Sequence, residues 1–295
     1  MNKQKGLIYV ILFSLAWAIQ TIIDKVAVDK GINPLSFSYQ TLFGASIILL
    51  LYVVLFRKND FKKIQKKSLP KLITLGIIGS GLGTILSFYG LKYSTAINFG
   101  FIIKSTVVFS VILAWIFLKE RMNTKKLLLI FVLLVGTFLI STKGQLITPK
   151  IGDLIILVAA FCLASANVMA KPLFKTHPVE IVVLFRIIFG GLIVLLFVPF
   201  IVPTFYQITD IPLFIARSFF VFFTLFFLNK TIEATDISYM TMMSMLYSIF
   251  VVILGYFILG ETMNTAQAIG GLLIIFSVIF IQKSRDMESG KQNIT

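Results

Sequence analysis

Ten runs of roughly twenty apolar residues fill this chain, and that pattern leaves few folds open. They cover about Gly6–Val28, Pro34–Phe56, Lys71–Tyr93, Thr95–Leu118, Leu127–Ser141, Ile151–Ala170, Val179–Val202, Ile211–Leu228, Asp236–Leu259 and Thr265–Gln282. A run of that length crosses a bilayer as a helix, because lipid offers no partner for open backbone N–H and C=O groups. The runs are solid rather than alternating, which argues against a β-barrel. Turn-like breaks at Lys30–Pro34, Thr148–Lys150, His177–Pro178 and Thr209–Pro212 separate them, and none is long enough for a soluble domain. Composition agrees: 58% of the 295 residues are hydrophobic and only 13% are charged. Soluble domains hold about 25% charge, so there are too few charges here to coat a water-soluble fold. Lys3, Lys5 and Ala16-Trp17-Ala18 imitate a cleavable leader, but the apolar run continues to Val28, so a retained span is expected.

The net charge of +15 comes from 27 basic and 12 acidic residues. With the N-terminus placed inside, 19 basic residues fall in inner segments and 4 in outer ones. That asymmetry predicts a multi-pass protein of the cytoplasmic (plasma) membrane with both termini cytoplasmic. It accounts for most of the basic excess without nucleic acid. The run from Arg57 to Lys67 reads as a topology signal, with contact to anionic lipid as the alternative. One His and one Cys cannot build a metal cluster or a disulfide frame, so no metal and no cofactor is expected.

The two halves resemble each other. Ile112–Thr124 recurs as Ile253–Thr265, 141 residues later, with seven of thirteen positions identical. Earlier in each half, Lys25, Phe43-Gly44 and Leu49-Leu50 match Lys171, Phe189-Gly190 and Leu195-Leu196 at a spacing of 146. Five spans per half is an odd number, so the second half must be inverted. The expected architecture is an all-α integral membrane protein with ten transmembrane helices as two inverted five-helix repeats, residues 1–145 and 146–295. Inverted repeats are a mark of secondary transporters, whose halves rock about a site near the midplane.

The endings Leu118-Lys119-Glu120-Arg121-Met122-Asn123-Thr124 and Leu259-Gly260-Glu261-Thr262-Met263-Asn264-Thr265 resemble the EamA-type drug/metabolite transporters. So does the opening of each half: Trp17, Lys25 and Asn33-Pro34, then Phe161, Lys171 and His177-Pro178. The family often has Arg in the second span of each repeat; Arg186 matches, and Gln40 stands in the first half. It often has Pro partway along spans four and nine, where this chain has Val107 and Ser248. The resemblance implies export or exchange of a small metabolite, amino acid or toxic cation through a central cavity.

Within the spans, Lys104 stands out. A centred Lys costs at least about 2.5–3.5 kcal/mol on insertion scales, so it needs a reason. It binds an anionic group of the substrate, carries a proton, or packs in an ion pair or snorkels. No acid is placed at mid-span to pair with it, which favours an anion supplied by the substrate. Arg217, near the outer end of its span, is a second candidate, with Asp24 or Asp210 as pairing partners. Arg186 is close enough to the inner side to snorkel. Trp17, Gln20, Tyr89, Asn98 and Asn167 are polar or amphipathic residues that bind ligand or join helices. Tyr239, Met243 and Tyr247 lie in a Met-rich stretch that suits either an adaptable cavity wall or packing. Gly76, Ser80, Gly83, Ser87 and Gly90 line one face of span three, for close helix contact or a cavity wall. His177 reads as a turn residue and Cys162 as a small core residue.

The expected function is a secondary transporter, an exporter or exchanger of a small organic metabolite such as an amino acid or organic anion. Its partners are the small-molecule substrate and the lipid bilayer; monomer and homodimer both stay open. A membrane-embedded enzyme is the alternative class, as is a channel or receptor without carrier activity. The chain has no deep Asp pair, no Ser–His arrangement, no His-Glu-x-x-His and no Walker-type phosphate loop.

Overall fold

The structure, a computed structural model, describes residues 3–202, 206–208 and 210–292; Thr209, in one of the expected breaks, lies outside them. Among the described residues there are ten helices long and apolar enough to cross a membrane. They are Gln4–Asp29, Pro34–Phe56, Lys66–Lys92, Ala96–Leu118, Thr124–Thr142, Ile151–Leu173, Val179–Ile201, Ile211–Ala234, Ile237–Leu259 and Thr265–Ser284, spans one to ten. The chain is an all-α integral membrane protein, and no described residue is in a strand. The start of span one, the end of span ten and the turns after even-numbered spans lie on one face, the terminal face. Turns after odd-numbered spans lie on the opposite face.

Side chains set the helix starts. The Asn33 carboxamide accepts from Leu35 N at 3.0 Å and Ser36 N at 3.2 Å, with Pro34 in the first turn. Asn264 and Gln267 cap each other reciprocally, at 2.9 and 3.1 Å. Asn123 accepts from Lys126 N at 2.8 Å, so span five begins at Thr124 rather than Leu127 and is no longer short. Span eight also runs further than its apolar stretch suggests, to Ala234. Spans four and nine end alike, on Lys119 and Gly260 in the left-handed region (φ 56° and 67°).

Three spans are irregular inside. Span three carries a π-helical stretch at Gly76–Leu82. Span four tightens to a 3₁₀ turn at Ile103–Ser105. Span nine breaks between Met243 and Leu246, the matching place in the repeat. No proline is needed for the last two. Ser105 Oγ and Ser244 Oγ donate to carbonyls three residues back, Ile102 O and Thr241 O, each at 2.6 Å. Hydroxyls that bond the preceding turn compete with the helix ladder and bend it.

The neighbour pattern is the strongest structural trace of the repeat. Span one packs on spans eight and nine, and span six, its counterpart, on spans three and four. Span two packs on spans eight and seven; span seven packs on spans three and two. Spans five and ten pack on each other. The two halves are therefore inverted and interleaved, with most helix contacts running between them. Small residues permit the closest crossings: a Cβ on Gly76 would stand 2.7 Å from Phe189 Cβ, and one on Gly90 2.7 Å from Ile156 Cγ1. The small-residue face of span three is thus a helix-contact face.

Candidate functional site

The irregular turn in span four places Lys104 in the bundle interior, 4% exposed. Its Nζ lies over two aromatic faces, 3.8 Å from the Tyr247 centroid and 4.6 Å from that of Trp17. Those rings stack with centroids 4.1 Å apart and planes 24° from parallel. Spans one, four and nine thus each supply one member of the cluster. Thr21, one turn beyond Trp17, donates to the Tyr247 hydroxyl at 3.3 Å. Ring faces carry negative quadrupole density and hold a desolvated ammonium, at about 2 kcal/mol or more. Rings cannot accept its protons as a carboxylate would. Among the described residues no acid and no hydrogen-bond acceptor reaches Lys104.

Lys104 and Tyr247 also line a cavity of about 170 Å³ with Gly100, Ser141, Glu261 and Thr262. Glu261 and Thr262 belong to the turn after span nine, so this hollow runs from Lys104 toward the opposite face. Lys25, near the end of span one, forms an ion pair with Glu261 there. Two further ion pairs join the same end of span one to the second half. Asp24 pairs with Arg217, and Lys30 Nζ lies 2.6 Å from Asp210 Oδ2. The Lys30 ammonium holds the Asp210 carboxyl below the usual range, helped by its cap on Leu213 N.

The terminal face is tied differently. Glu120 accepts from the backbone amides of Ile237 and Ser238 at 2.7 and 3.0 Å, and from Ser238 Oγ at 2.5 Å. Lys171 Nζ donates to the carbonyls of Ile232, Glu233 and Thr235 at 2.6, 3.3 and 2.5 Å. Glu180 sits between Lys230, at 3.5 Å, and Arg57, at 3.8 Å. Asp60, then Glu180, raises the pKa of the Arg57 guanidinium above its ordinary value.

Of the sequence candidates, Lys104, Trp17 and Tyr247 come together. Gln20 is half-buried three residues beyond Trp17, on the same side of span one. The others lie elsewhere. Arg217 is engaged by Asp24, Thr41 and Ser38, so it joins helices near the opposite face. Asn98 donates to Thr148 O at 2.9 Å and Asp153 Oδ2 at 2.8 Å, clipping the starts of spans four and six together. Asn167 accepts from Arg186 Nη2 at 3.1 Å, and Arg186 is buried rather than snorkelling, with Nε and Nη1 unpartnered among the described residues. Tyr239 donates to Gln282 at 2.6 Å, and Met243 packs in the main apolar cluster. Tyr89 is exposed beside Tyr93 and lines a separate hollow of about 350 Å³ with Asn33 and Lys92. His177 is buried, accepting from Gln65 N at 3.3 Å, so it fastens the long basic turn rather than standing free in one. Cys162 is half-buried, not in the core.

Sequence reasoning missed the roles of Lys25, Glu120, Lys171 and Glu261. The signal was present: an acid and a lysine retained at matching places in both halves, while most other polar positions differ.

Ten spans in two inverted five-helix repeats are an architecture common among membrane transporters. The EamA-like transporter family matches the chain twice, over residues 4–142 and 150–282, and the chain belongs to that family. The chain is 28% identical over 248 residues to the uncharacterised transporter YyaM of Bacillus subtilis, covering 80% of this chain and 81% of the relative. It is 25% identical over 308 residues to the riboflavin transporter ImpX of Fusobacterium nucleatum, covering 96% and 99%. A crystal structure at 15% identity superposes with a TM-score of 0.74 over 94% of both chains, so the fold is shared. The protein is a transporter, not an enzyme.

Proposed function

We infer that this protein is a secondary carrier that exports or exchanges a small organic anion or zwitterion, such as a carboxylate or an amino acid. One observation carries the reading: Lys104 is buried beside a cavity, held by two ring faces, with no acid among the described residues to neutralise it. A mobile anion entering the cavity gives that ammonium the charge-assisted hydrogen bonds the rings cannot. Trp17 and Tyr247 hold the ammonium in place and offer a flat wall to the solute. Lacking a nucleotide-binding sequence, the chain draws on a gradient or on exchange.

The 19-to-4 distribution of basic residues supports a cytoplasmic terminal face, and on that reading the cavity opens outward. The repeats divide near residue 145, in the turn after span five. The riboflavin carrier among the relatives favours a second reading, a planar conjugated solute stacking on the Trp17–Tyr247 pair. Size separates the two: 170 Å³ suits a solute of a few heavy atoms unless the cavity widens.

The test is a thermal-stabilisation screen of purified protein against amino acids, organic acids, phosphorylated metabolites, flavins and cationic drugs. Uptake of the hits is then measured in liposomes preloaded with the same compound. Anionic and zwitterionic compounds should stabilise the protein, and saturable flux should accelerate with solute on the far side. A hit set made up of cations alone overturns the reading.

A further inference from the structure

We propose that Glu120 and Glu261 are alternating latches, each closing one face of the carrier by gripping backbone amides of the other repeat. Lys171 and Lys25 grip the adjoining carbonyls in step with them. The inference rests on alternating access but not on the identity of the substrate.

The argument is a broken symmetry. Glu120 and Glu261 stand 141 residues apart, at the same place after spans four and nine. Glu120 holds the amides of Ile237 and Ser238, which open span nine. At the same spacing, those positions match Ala96 and Ile97, which open span four. Glu261 is not on them; it is paired with Lys25 beside the cavity mouth. The lysines repeat the pattern. Lys171 holds the carbonyls of Ile232, Glu233 and Thr235, whose counterparts are Leu91, Lys92 and Ser94. Lys25, the counterpart of Lys171, is on Glu261 instead. One device is therefore engaged on the terminal face and disengaged on the opposite face, and the cavity to Lys104 lies where it is disengaged.

Exchanging the roles of the repeats gives the second state. Glu261 leaves Lys25 and takes the first amides of span four, while Lys25 takes the carbonyls at the end of span three. Those amides are ready for it: Thr95 Oγ1 caps Asn98 N alone, and opening N–H groups lack partners within the helix. The mouth over Lys104 then shuts. Release of Glu120 frees the start of span nine and opens the terminal face. The two latches are unequal. Ser238 adds a hydroxyl bond to Glu120 that Ile97 cannot give Glu261. The terminal-face latch is thus the stronger, which matches the state seen.

Spin-label distances in liposomes, without any solute, test this. In a Cys162→Ser background, Arg121→Cys with Glu233→Cys spans the terminal-face latch, and Lys92→Cys with Thr262→Cys spans the other; all four positions are exposed. The short-inner, long-outer arrangement should dominate. Glu120→Gln should move the population ratio about tenfold toward long-inner, short-outer, equivalent to ~1.4 kcal/mol. Ser238→Ala should move it the same way by less, and Glu261→Gln the opposite way. The double variant Glu120→Gln/Glu261→Gln should fall between the two single variants, short of the starting ratio by the margin of the stronger latch, which separates a latch from simple damage. Shifts in one direction for both glutamates, no shift in either, or a double variant lying outside the range of the two single variants overturns the proposal. Loss of the anion reading, with Lys104→Ala still transporting normally, would leave these distances unchanged.

Discussion

At the residue scale, Lys104 connects the charge of the chain to its chemistry. Its ammonium is held by rings, so the two ring contacts and the cavity contact are separable by mutation. Lys104→Ala should abolish saturable uptake in liposomes while the protein stays folded by circular dichroism, because removing a buried charge held only by rings leaves no ion stranded. Normal uptake by that variant would end the anion reading. Tyr247→Phe keeps the ring face and loses one hydroxyl contact, so its affinity should stay within a few-fold of the parent. Tyr247→Ala loses the ring and should bind roughly 10- to 30-fold more weakly, on the scale of a desolvated cation–π contact. At the rim, Lys30 depresses the Asp210 carboxyl. A depressed carboxyl contributes stability above its unfolded value and loses it as pH falls through the folded one. Asp210→Asn should therefore lower stability slightly in the neutral region, leave the acid end little changed, and so flatten the acid limb of a stability–pH profile.

Lys104 was legible in the sequence because a lysine inside an apolar run is conspicuous by cost alone. Its partners were harder to read. Trp17 and Tyr247 lie in spans one and nine, and nothing in their local sequence separates them from Tyr89 or Tyr239, which look alike and end up elsewhere. Asn98 and Arg217 were plausible ligands for the same reason. Asn98's real partner, Asp153, sits in a span whose contact with it only the packing creates, whereas Arg217 pairs with Asp24, one of the two acids its position in the sequence offered.

At the element scale, the helices follow hydropathy, while their interruptions follow individual hydroxyls and glycines. The expected Pro is missing from spans four and nine, yet both break at matching places, because Ser105 and Ser244 bond back to the preceding turn. The π-helical Gly76–Leu82 had no signal beyond a cluster of small residues. Glycine contacts allow a sharp comparison. Gly76→Ala pushes a methyl against Phe189 Cβ and Phe185 O, at 2.7 and 2.8 Å, and backbone cannot move aside cheaply. That change should destabilise by about 1–3 kcal/mol, read as a lower melting temperature in detergent. Gly191→Ala meets nothing within 4 Å and should be neutral or slightly stabilising. Equal effects from both would mean that the crossing of spans three and seven is looser than described.

At the scale of the whole molecule, charge and architecture give a topology that can be checked directly. Leu146, 92% exposed in the turn after span five, lies on the opposite face, and Lys62 lies in the basic turn of the terminal face. In a Cys162→Ser background, Leu146→Cys should react with an impermeant thiol reagent on intact cells. Lys62→Cys should react only after permeabilisation, and the reverse result would invert the protein in the membrane.

The interleaved neighbour pattern has a consequence for biogenesis. Span one's main partner is span eight, and span two's are spans seven and eight, so the first half leaves the ribosome before its packing surfaces exist. Glycine faces made for a neighbouring helix, and Lys104 with Trp17 but not yet Tyr247, must wait in lipid until the second half is inserted. Contacts between distant parts of a chain form late and slowly. The vulnerable period is therefore synthesis of residues beyond span five, when five inserted helices are present without the partners that hold them. Variants in spans one to three should act there, lowering the yield of assembled protein more than its stability once assembled.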